Sequence, residues 1–449
     1  MPESLIDKAL ETATDTHAIE IGRGVVATTG RLFAERFPGR AGIIVADENH
    51  WRVAGRQVVE SLTSAGVRLL DPYVFPGTPT LYAGYDNVET VREELRGKDA
   101  VPIAVASGTL NDIVKRACGE LEIEYLCVAT AASMDGYASY GASITKDGFK
   151  QTLTCPAPAV IVADLDIMAG APERLTATGF GDLIEKVPAG ADWIICDELG
   201  IEKIDPYVWS LVQGPLRESL ADPQGCKDGD PEAISGLASG LVMSGLAMQA
   251  YQSSRPASGG GHHFSHLWEM EHYGLDWDPP LSHGFKVGLG TVSVAALYEV
   301  VLAADLASAI DVDAAVAAWP TWDETEAQLK AALTPDLHEP ALAQTRGKYL
   351  GSDEVRARLE LTIERWPVIE KRLREQLLPA AVLKEKLDTV GAVTHPSQIG
   401  MPMDRFRDTY HRARWIRTRF VLTDLLTQAN LLDPFVDELF APGGFWAEQ

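Results

Sequence analysis

The chain has 449 residues, more than a single hydrophobic core usually serves, which predicts at least two domains. Hydrophobic residues make up 46% of it and charged residues 23%, a composition typical of globular proteins and not of disordered ones. The formal net charge of −25 argues against nucleic acid or an anionic membrane as a partner. Five cysteines without a CxxC pair suit reduced thiols, and no signal sequence or membrane span is recognised, so we expect a cytoplasmic protein.

Short apolar runs alternate with amphipathic stretches over the first 165 residues, which predicts a parallel sheet covered by helices. The expected strands are 41–47, 67–75, 100–107, 124–130 and 158–164, and the expected helices include 51–66 and 80–95. Beyond about residue 165 the helical periodicity of 3.6 residues takes over, as in 235–254 and 286–310. The fold class is therefore α/β plus all-α, with a sheet domain over 1–165 and a helical domain over 166–449. The segment 220–233, rich in Gly, Pro and Asp, is expected to be an exposed loop.

Two glycine-bearing turns are candidates for binding the phosphates of a nucleotide. In the first, Gly22, Gly24 and Ala27 have the spacing of a dinucleotide fingerprint, although a plain strand-to-helix turn gives the same short pattern. In the second, Gly108 follows a buried strand and opens a helix. Free backbone N–H groups and the helix dipole would favour a diphosphate there, while ordinary N-capping by Ser107 or Thr109 explains the residues equally well.

Asp47 ends the strand over 41–47 and has two interpretations. Its carboxylate is placed to accept hydrogen bonds from the hydroxyls of an adenosine ribose, which would favour NADH over NADPH. It is equally suited to cap the helix that begins near His50.

The stretch SGGGHHFSHLWEMEH, residues 258–272, holds four of the ten histidines. If it is helical, His262 and His266 lie one turn apart on one face, whereas His263 and His272 point elsewhere and are assigned to packing or solvent. A third imidazole, His283, precedes another helix, and Asp182 follows a glycine-bracketed turn. Imidazole and carboxylate together suit Zn²⁺, Ni²⁺ or Fe²⁺ better than Ca²⁺ or Mg²⁺. A solvated histidine-rich surface is the alternative.

Six motifs, taken in order, carry a family resemblance. They are SGTLNDIVK (107–115), TAASMDGYAS (130–139), VADLDIM (162–168), GFGDLIEK (179–186), RPASGGGHHFSHLWEM (255–270) and SHGFKVGLG (282–290). Together they resemble the sn-glycerol-1-phosphate dehydrogenases, a family within the superfamily of iron-containing alcohol dehydrogenases and dehydroquinate synthases. The tail over 395–432 resembles the longer, bacterial branch.

The resemblance implies a Rossmann-like N-terminal domain, a helical C-terminal domain and an active site in the cleft between them. It implies reduction of dihydroxyacetone phosphate to sn-glycerol 1-phosphate with NAD(H) or NADP(H) and one divalent metal ion, in a homodimer or larger assembly. Residues implied to contact the dinucleotide, besides Asp47, are Gly108, Thr109, Leu110, Asn111, Asp112, Thr130, Ala131, Ala132, Ser133 and Ser139. The implied metal ligands are Asp182, His262 and His283, the implied substrate contacts are Asp135, Asp182 and His266, and the implied catalytic pair is Asp182 with His266.

Three positions depart from the pattern of the resemblance. Lys186 stands where iron-dependent members have a fourth ligand, and because a cation cannot ligate a metal ion, a three-residue site for Zn²⁺ or Ni²⁺ is expected. Gly261 stands where the family often has an acid, and Glu185 where it usually has a small residue. Lys150, Lys186 and Lys286 are the candidates to bind the substrate phosphate.

Other functions stay open at this point. A polyol dehydrogenase that needs no phosphate, or a dehydroquinate synthase-like cyclase, would use the same superfamily framework. A non-catalytic protein that binds a metal or a nucleotide is disfavoured, because Asp182, His262, His266 and His283 are all present.

Overall fold

The computed structural model describes residues 3–447. Its centre is a sheet of six parallel strands in the spatial order β1-β8-β5-β4-β2-β3. A separate antiparallel hairpin, β6-β7, follows β5 in sequence. The strands are β1 Ala18–Gly22, β2 Ala41–Asp47, β3 Tyr73–Phe75, β4 Ala100–Ala106, β5 Leu126–Ala129, β6 Ala142–Lys146, β7 Phe149–Leu153 and β8 Val160–Asp164. This confirms the predicted parallel sheet.

Each face of the sheet is covered by its own apolar core. Ile44 and Val105 belong to a smaller cluster on one face, while Ile43 and Ala104 belong to a larger cluster that continues into the helical region. Adjacent residues of a strand point to opposite faces, so a strand buried on both faces is apolar at every position. This explains the near-continuous apolar runs in the sequence.

Three details of the sheet differ from the prediction. The strand expected over 67–75 is reduced to Tyr73–Phe75, with Leu69 making only an isolated bridge to Gly42. The hairpin β6-β7 was not predicted, and β1 was expected only as the strand that leads into the Gly22 turn and not as part of the sheet. β1 lies at an edge of the sheet, where its residues are only partly buried, and it therefore lacks the apolar run by which the other strands were recognised.

Helices connect the strands and form all the regular structure described after β8. In chain order they are α1 Glu3–Leu10, α2 Thr29–Arg36, α3 Glu48–His50, α4 Arg56–Ser64, α5 Tyr85–Leu95, α6 Gly108–Leu121, α7 Leu165–Ala169, α8 Glu173–Ile184, α9 Lys186–Glu198, α10 Pro206–Ser219, α11 Pro223–Asp228, α12 Pro231–Tyr251, α13 Gly260–Met270, α14 His283–Ala303, α15 Leu306–Ala309, α16 Val312–Ala318, α17 Trp322–Ala332, α18 His338–Arg346, α19 Ser352–Gln376, α20 Ala380–Val390, α21 Met403–Arg412, α22 Leu422–Gln428 and α23 Leu432–Phe440. The predicted class, α/β followed by all-α, is confirmed, and the division at residue 165 stays a prediction.

The segment 220–233 is not the exposed loop that its composition predicted. It contains α11 and the start of α12. The Asp222 side chain accepts from the Gly225 N–H, and the Asp230 side chain accepts from the Glu232 and Ala233 N–H groups. The Asp and Pro residues that suggested a loop are therefore helix caps and first-turn residues. The helix expected over 80–95 begins only at Tyr85.

Two helices, α12 and α14, are long and apolar enough to cross a membrane by length and composition alone. Most of each is buried inside the protein, 78% of the apolar window of α12 and 89% of that of α14. They are apolar on all sides because other helices surround them.

Helices α8 and α14 cross at the distance of backbone contact, and this crossing positions the residues of interest. A Cβ atom added to Gly284 would lie 1.8 Å from the Thr178 carbonyl oxygen, and one added to Gly181 would lie 2.3 Å from the Gly284 carbonyl oxygen. Only glycine fits at both places. Asp182 and His283 are the immediate neighbours of these glycines, so the crossing brings a carboxylate and an imidazole together.

We expect Gly284→Ala to lower the free energy of unfolding by about 3 kcal/mol, because the methyl group forces the two helices apart. The matched control is Gly214→Ala, a helical glycine of α10 with nothing within 4 Å of the added Cβ. That variant should gain up to about 1 kcal/mol from helix propensity. Denaturant unfolding of the parent and the two variants measures both changes in the free energy of unfolding. A Gly284→Ala protein as stable as the parent would contradict the close packing of α8 against α14.

Candidate active site and metal centre

Asp182, His262 and His283 come together from three helices, α8, α13 and α14. One potential ligand atom from each lies within 4.8 Å of the other two. The His262 Nε2 atom is 3.4 Å from the Asp182 Oδ1 atom, and the ring centroids of His262 and His283 are 5.4 Å apart. The three residues predicted as metal ligands from the sequence are therefore neighbours in space.

The spacing of these atoms fits a divalent ion. In a tetrahedral zinc site with ligand bonds of about 2.0–2.1 Å, two ligand atoms lie about 3.4 Å apart, as His262 Nε2 and Asp182 Oδ1 do. Asp182 is buried, and although burial favours the neutral acid, Lys186 and His262 hold the pKa of its carboxyl well below the usual value. The carboxylate is thus ionised and able to ligate.

A second group of possible ligands, His266, Glu269 and His283, overlaps the first through His283. The group that faces each histidine Nδ1 distinguishes the two sets. The His262 Nδ1 atom lies 3.2 Å from Glu185 Oε2, and the His283 Nδ1 atom lies 2.9 Å from Glu269 Oε1. A carboxylate at Nδ1 holds the proton there and leaves Nε2 bare for a metal ion.

His266 has the opposite kind of partner. The Arg417 guanidinium donates to His266 Nδ1 through Nη2 at 2.8 Å and Nε at 3.3 Å. Burial and this guanidinium hold the pKa of His266 well below its usual value, so the imidazole is neutral. Its geometry sets His266 apart from the two histidines that a carboxylate prepares for metal binding.

Glu185 and Gly261, the two positions that depart from the family pattern, lie against each other. A Cβ atom added to Gly261 would be 2.9 Å from the Glu185 Cγ atom. Glu185 is fully buried, and its Oε1 atom accepts from the Gly259 N–H at 3.1 Å while Oε2 faces His262. The absent side chain at residue 261 therefore makes room for the carboxylate that contacts a predicted ligand.

Lys186 is buried between two carboxylates and does not bind a free anion. Its Nζ atom is 2.7 Å from Asp135 Oδ2 and 3.0 Å from Asp182 Oδ1, and it donates to the Asp182 carbonyl oxygen at 2.8 Å. Lys186 was one of the candidates for the substrate phosphate, and its charge is already compensated. Asp135, the predicted substrate contact, also accepts from the Ser244 hydroxyl at 3.0 Å.

The N-terminus of α6 has the properties expected of a phosphate site. Its N-cap residue, Ser107, makes no side-chain bond to the first helical N–H groups. The Ser107 hydroxyl instead lies 3.0 Å from His50 Nε2. N-capping, the alternative interpretation of Ser107, is therefore wrong for its side chain, and the first-turn N–H groups of α6 can serve an anion.

The other turn, at Gly22 and Gly24, is not available to a nucleotide. The Gly24 and Val26 N–H groups both donate to the Asp164 carboxylate, at 3.3 and 2.8 Å. This turn is closed by an internal carboxylate, which would also repel phosphate. The fingerprint spacing there is a structural turn.

Asp47 acts as a helix cap in this structure. Its Oδ1 atom accepts from the His50 N–H at 2.8 Å and lies 2.7 Å from His50 Nδ1. Of its two interpretations the cap is the one observed, and the ribose contact stays a prediction. Through His50 the same carboxylate positions Ser107 at the start of α6.

The predicted dinucleotide contacts divide into two groups. Four line a cavity of about 230 Å³, namely Gly108, Thr109, Asp112 and Ser133. The others lie outside that lining and are buried: Leu110, Asn111, Thr130, Ala131, Ala132 and Ser139. Among these, the Asn111 amide oxygen accepts from the Tyr125 hydroxyl, and Ser139 accepts from the Lys115 ammonium group. Those two side chains make internal bonds.

The same cavity reaches one of the three predicted metal ligands, His283. Its lining includes His283 and Glu269 together with the start of α6, and it also includes the side chains of Lys150 and Arg174. Gly179, where an added Cβ would lie 1.9 Å from the Ala132 carbonyl oxygen, holds α8 against the loop that follows β5. The nucleotide-binding prediction and the metal-binding prediction thus share one cavity, through the start of α6 and through His283.

Comparison with known proteins places the chain in a family. Residues 20–172 match the family model of iron-containing alcohol dehydrogenases. A glycerol-1-phosphate dehydrogenase (NAD(P)+) of Bacillus licheniformis is 33% identical over 293 residues, 64% of this chain and 72% of that protein. The chain belongs to the glycerol-1-phosphate dehydrogenase family.

A second member of this family, from Halalkalibacterium halodurans, is 34% identical over 257 residues, 57% of this chain and 64% of that relative. The chain thus spans somewhat less than two thirds of the length of that relative. Among solved structures, glycerol dehydrogenase from Schizosaccharomyces pombe shares the fold, with a TM-score of 0.58 at 15% identity over 97% of this chain and 93% of that one.

Glu269 and Arg417 contact the site but were not predicted from the sequence. Glu269 had a signal, because residues 262, 266 and 269 fall on one helical face. Arg417 had none, since it lies 151 residues from His266. His263 is buried, as the packing interpretation expects, and His272 lies beyond the end of α13 with a positive φ of 57°.

Glu185→Gln should weaken binding of Zn²⁺ by about 10–100-fold, the usual effect of losing a carboxylate behind a ligating histidine. Glu185 accepts from the Gly259 N–H through Oε1 and faces His262 Nδ1 through Oε2, so an amide in either orientation turns its NH₂ group toward one of these nitrogens. Competition with a chromophoric chelator measures the affinity.

Glu271→Gln is the control, since this buried carboxylate pairs with Arg405 and Arg412 and with no histidine. Equal zinc affinities for the Glu185 variant and the parent would show that Glu185 only fills space.

Proposed function

We propose that this protein reduces dihydroxyacetone phosphate to sn-glycerol 1-phosphate with NADH or NADPH. The observation that carries the proposal is the single cavity that joins the start of α6 to His283 and Glu269. A dinucleotide held by α6 would have its nicotinamide end directed toward a substrate held at the metal-binding residues. Membership of the glycerol-1-phosphate dehydrogenase family supports the same reaction.

The residues fit one divalent ion, which we propose to be Zn²⁺ or Ni²⁺, held by Asp182, His262 and His283. When bound, such an ion supplies Lewis-acid polarisation of the substrate carbonyl. Lys186 stands one turn after Asp182, and its ammonium group excludes a fourth protein ligand at that place. A position is thereby left for substrate oxygen.

The protein's own side chains have separable tasks in this reaction. A bound nicotinamide would supply hydride for C2 of the substrate, and negative charge would then develop on the C2 oxygen. His266, whose ring centroid lies 5.8 Å from that of His262 and 5.6 Å from that of His283, is near enough to donate a hydrogen bond there. Glu185 and Glu269 orient the two ligating imidazoles, and Lys186 balances the charge of Asp135 and Asp182.

Lys150 and Arg174 are the cations that line the cavity, and we assign the substrate phosphate to them. Lys150 was a candidate from the sequence, whereas Arg174 was not. Lys286, the third candidate, is buried 4.0 Å from Glu269 and outside the cavity lining. Two cations suit a dianion better than a neutral hydroxyl.

A homodimer or larger assembly and a cytoplasmic location complete the proposal. Both rest on the family resemblance and on the composition, and the reaction proposed above needs neither of them.

Metal-stripped protein should lose NADH oxidation with dihydroxyacetone phosphate and regain it on addition of Zn²⁺ or Ni²⁺. His262→Ala and His283→Ala should lose both bound metal and turnover, because each removes one of three ligands. Absorbance of NADH and the metal content of each protein are measured together.

Unphosphorylated dihydroxyacetone and glycerol are the matched substrates. Equal kcat/KM for dihydroxyacetone and its phosphate would contradict the phosphate-specific reaction in favour of a polyol dehydrogenase. Full activity of either histidine variant would contradict the metal site.

Lys150→Met should raise KM for dihydroxyacetone phosphate about tenfold or more, since one charge-assisted hydrogen bond is worth roughly 1.5–3 kcal/mol. KM for unphosphorylated dihydroxyacetone should not change. Lys146→Met is the control, because Lys146 lies on the same hairpin with its ammonium group over the Tyr85 ring and outside the cavity lining. If both lysine variants behave alike, the phosphate is bound elsewhere.

A further inference from the structure

The three histidines of the site differ in the charge of the group at Nδ1. His262 and His283 face the carboxylates of Glu185 and Glu269. His266 faces the guanidinium of Arg417, which donates to it twice. A guanidinium has donors only, so the imidazole nitrogen it contacts must be an unprotonated acceptor. The single proton of a neutral His266 is then on Nε2.

We propose that Arg417 is a positioning residue that fixes His266 as the neutral Nε2–H tautomer. In this form the ring donates a hydrogen bond to the substrate oxygen and keeps its proton throughout the reaction. This deepens the proposed function and rests on it for the identity of the substrate oxygen, whereas the tautomer itself can be observed without substrate.

The arrangement also explains why the second group of possible ligands is not used. His266, Glu269 and His283 are close enough to hold an ion, yet a protonated Nε2 has no lone pair to offer. With Arg417 on Nδ1, neither nitrogen of His266 is free. The guanidinium therefore excludes His266 from the metal site while keeping it next to the site.

Proton balance supports a donor that does not transfer its proton. A neutral imidazole that gave up its Nε2 proton would become an imidazolate, because Nδ1 carries none. Arg417 cannot readily replace that proton, since burial lowers the pKa of its guanidinium only to about 10 and it stays charged near neutral pH. The proton that completes the product hydroxyl therefore comes from water, and His266 stabilises the developing charge, as a neutral imidazole can.

Arg417 belongs to the chain beyond α21, in the tail that follows the six motifs. Its position next to His266 means that this tail completes the site from outside the six motifs. The neighbouring Arg419 makes no such contact and donates instead to the Ser258 carbonyl and the Ser254 hydroxyl.

Long-range ¹H–¹⁵N correlation of histidine-labelled, zinc-loaded protein tests the tautomer directly. His266, assigned by the loss of its signals in His266→Asn, should be the neutral Nε2–H form. His262 and His283 should be the opposite Nδ1–H form in the same spectrum. A His266 that is cationic, or that has its proton on Nδ1, would overturn the inference even if the proposed reaction is observed.

Arg417→Met should lower kcat for dihydroxyacetone phosphate at least about tenfold, with bound zinc unchanged and the His266 tautomer no longer fixed. Arg417→Lys, which keeps one donor, should retain the tautomer and much of kcat. Arg419→Met is the control and should leave the His266 signals as they are.

A rise in KM alone, with the tautomer intact, would show that Arg417 binds substrate and would contradict the positioning role. Loss of zinc in Arg417→Met would instead make the residue structural. If neither parent nor variant turns over dihydroxyacetone phosphate, the proposed function fails while the spectrum still decides the tautomer.

Discussion

The close crossing of α8 and α14 is the constraint on which the site depends. Gly181 and Gly284 let the two backbones touch, and each glycine is followed or preceded directly by a residue of the site, Asp182 or His283. The Asp182 carboxylate is buried here at the expense of its hydration, and close helix packing holds it and the partly exposed His283 at a fixed distance. α13 then adds His262 to this pair from a third direction.

The buried carboxylates of the site each have a cationic or imidazole partner. Asp182 and Asp135 share the ammonium group of Lys186, and Glu185 and Glu269 each face an imidazole. Buried carboxylates without such partners would be protonated or would destabilise the fold. The proposed roles follow the signs of the partners, because a carboxylate at Nδ1 suits an imidazole to a metal ion and a guanidinium suits it to donate a hydrogen bond.

Elements whose sequence patterns extend over many residues were predicted well. The apolar strands of the sheet and the helical periodicity after residue 165 reflect burial, which repeats along the chain with the period of the backbone. Patterns at single turns were less informative. The Gly22–Gly24 spacing left a phosphate site and a plain turn open, and Asp164 closes it as a plain turn. The segment before α12 was wrongly predicted to be a loop, because its Asp residues cap helices.

The sequence by itself determined the order of elements, the family and the identity of the candidate ligands, since motif residues keep their spacing within one helix or turn. Only the tertiary structure decided the partners of those ligands. Glu185 lies 77 residues before His262, and Arg417 lies 151 residues after His266. Such contacts depend on how helices pack against each other, and a single contact between distant residues produces no repeating pattern in the sequence. The group that faces each imidazole nitrogen, on which the proposed division between ligand and donor rests, is therefore a property of the fold.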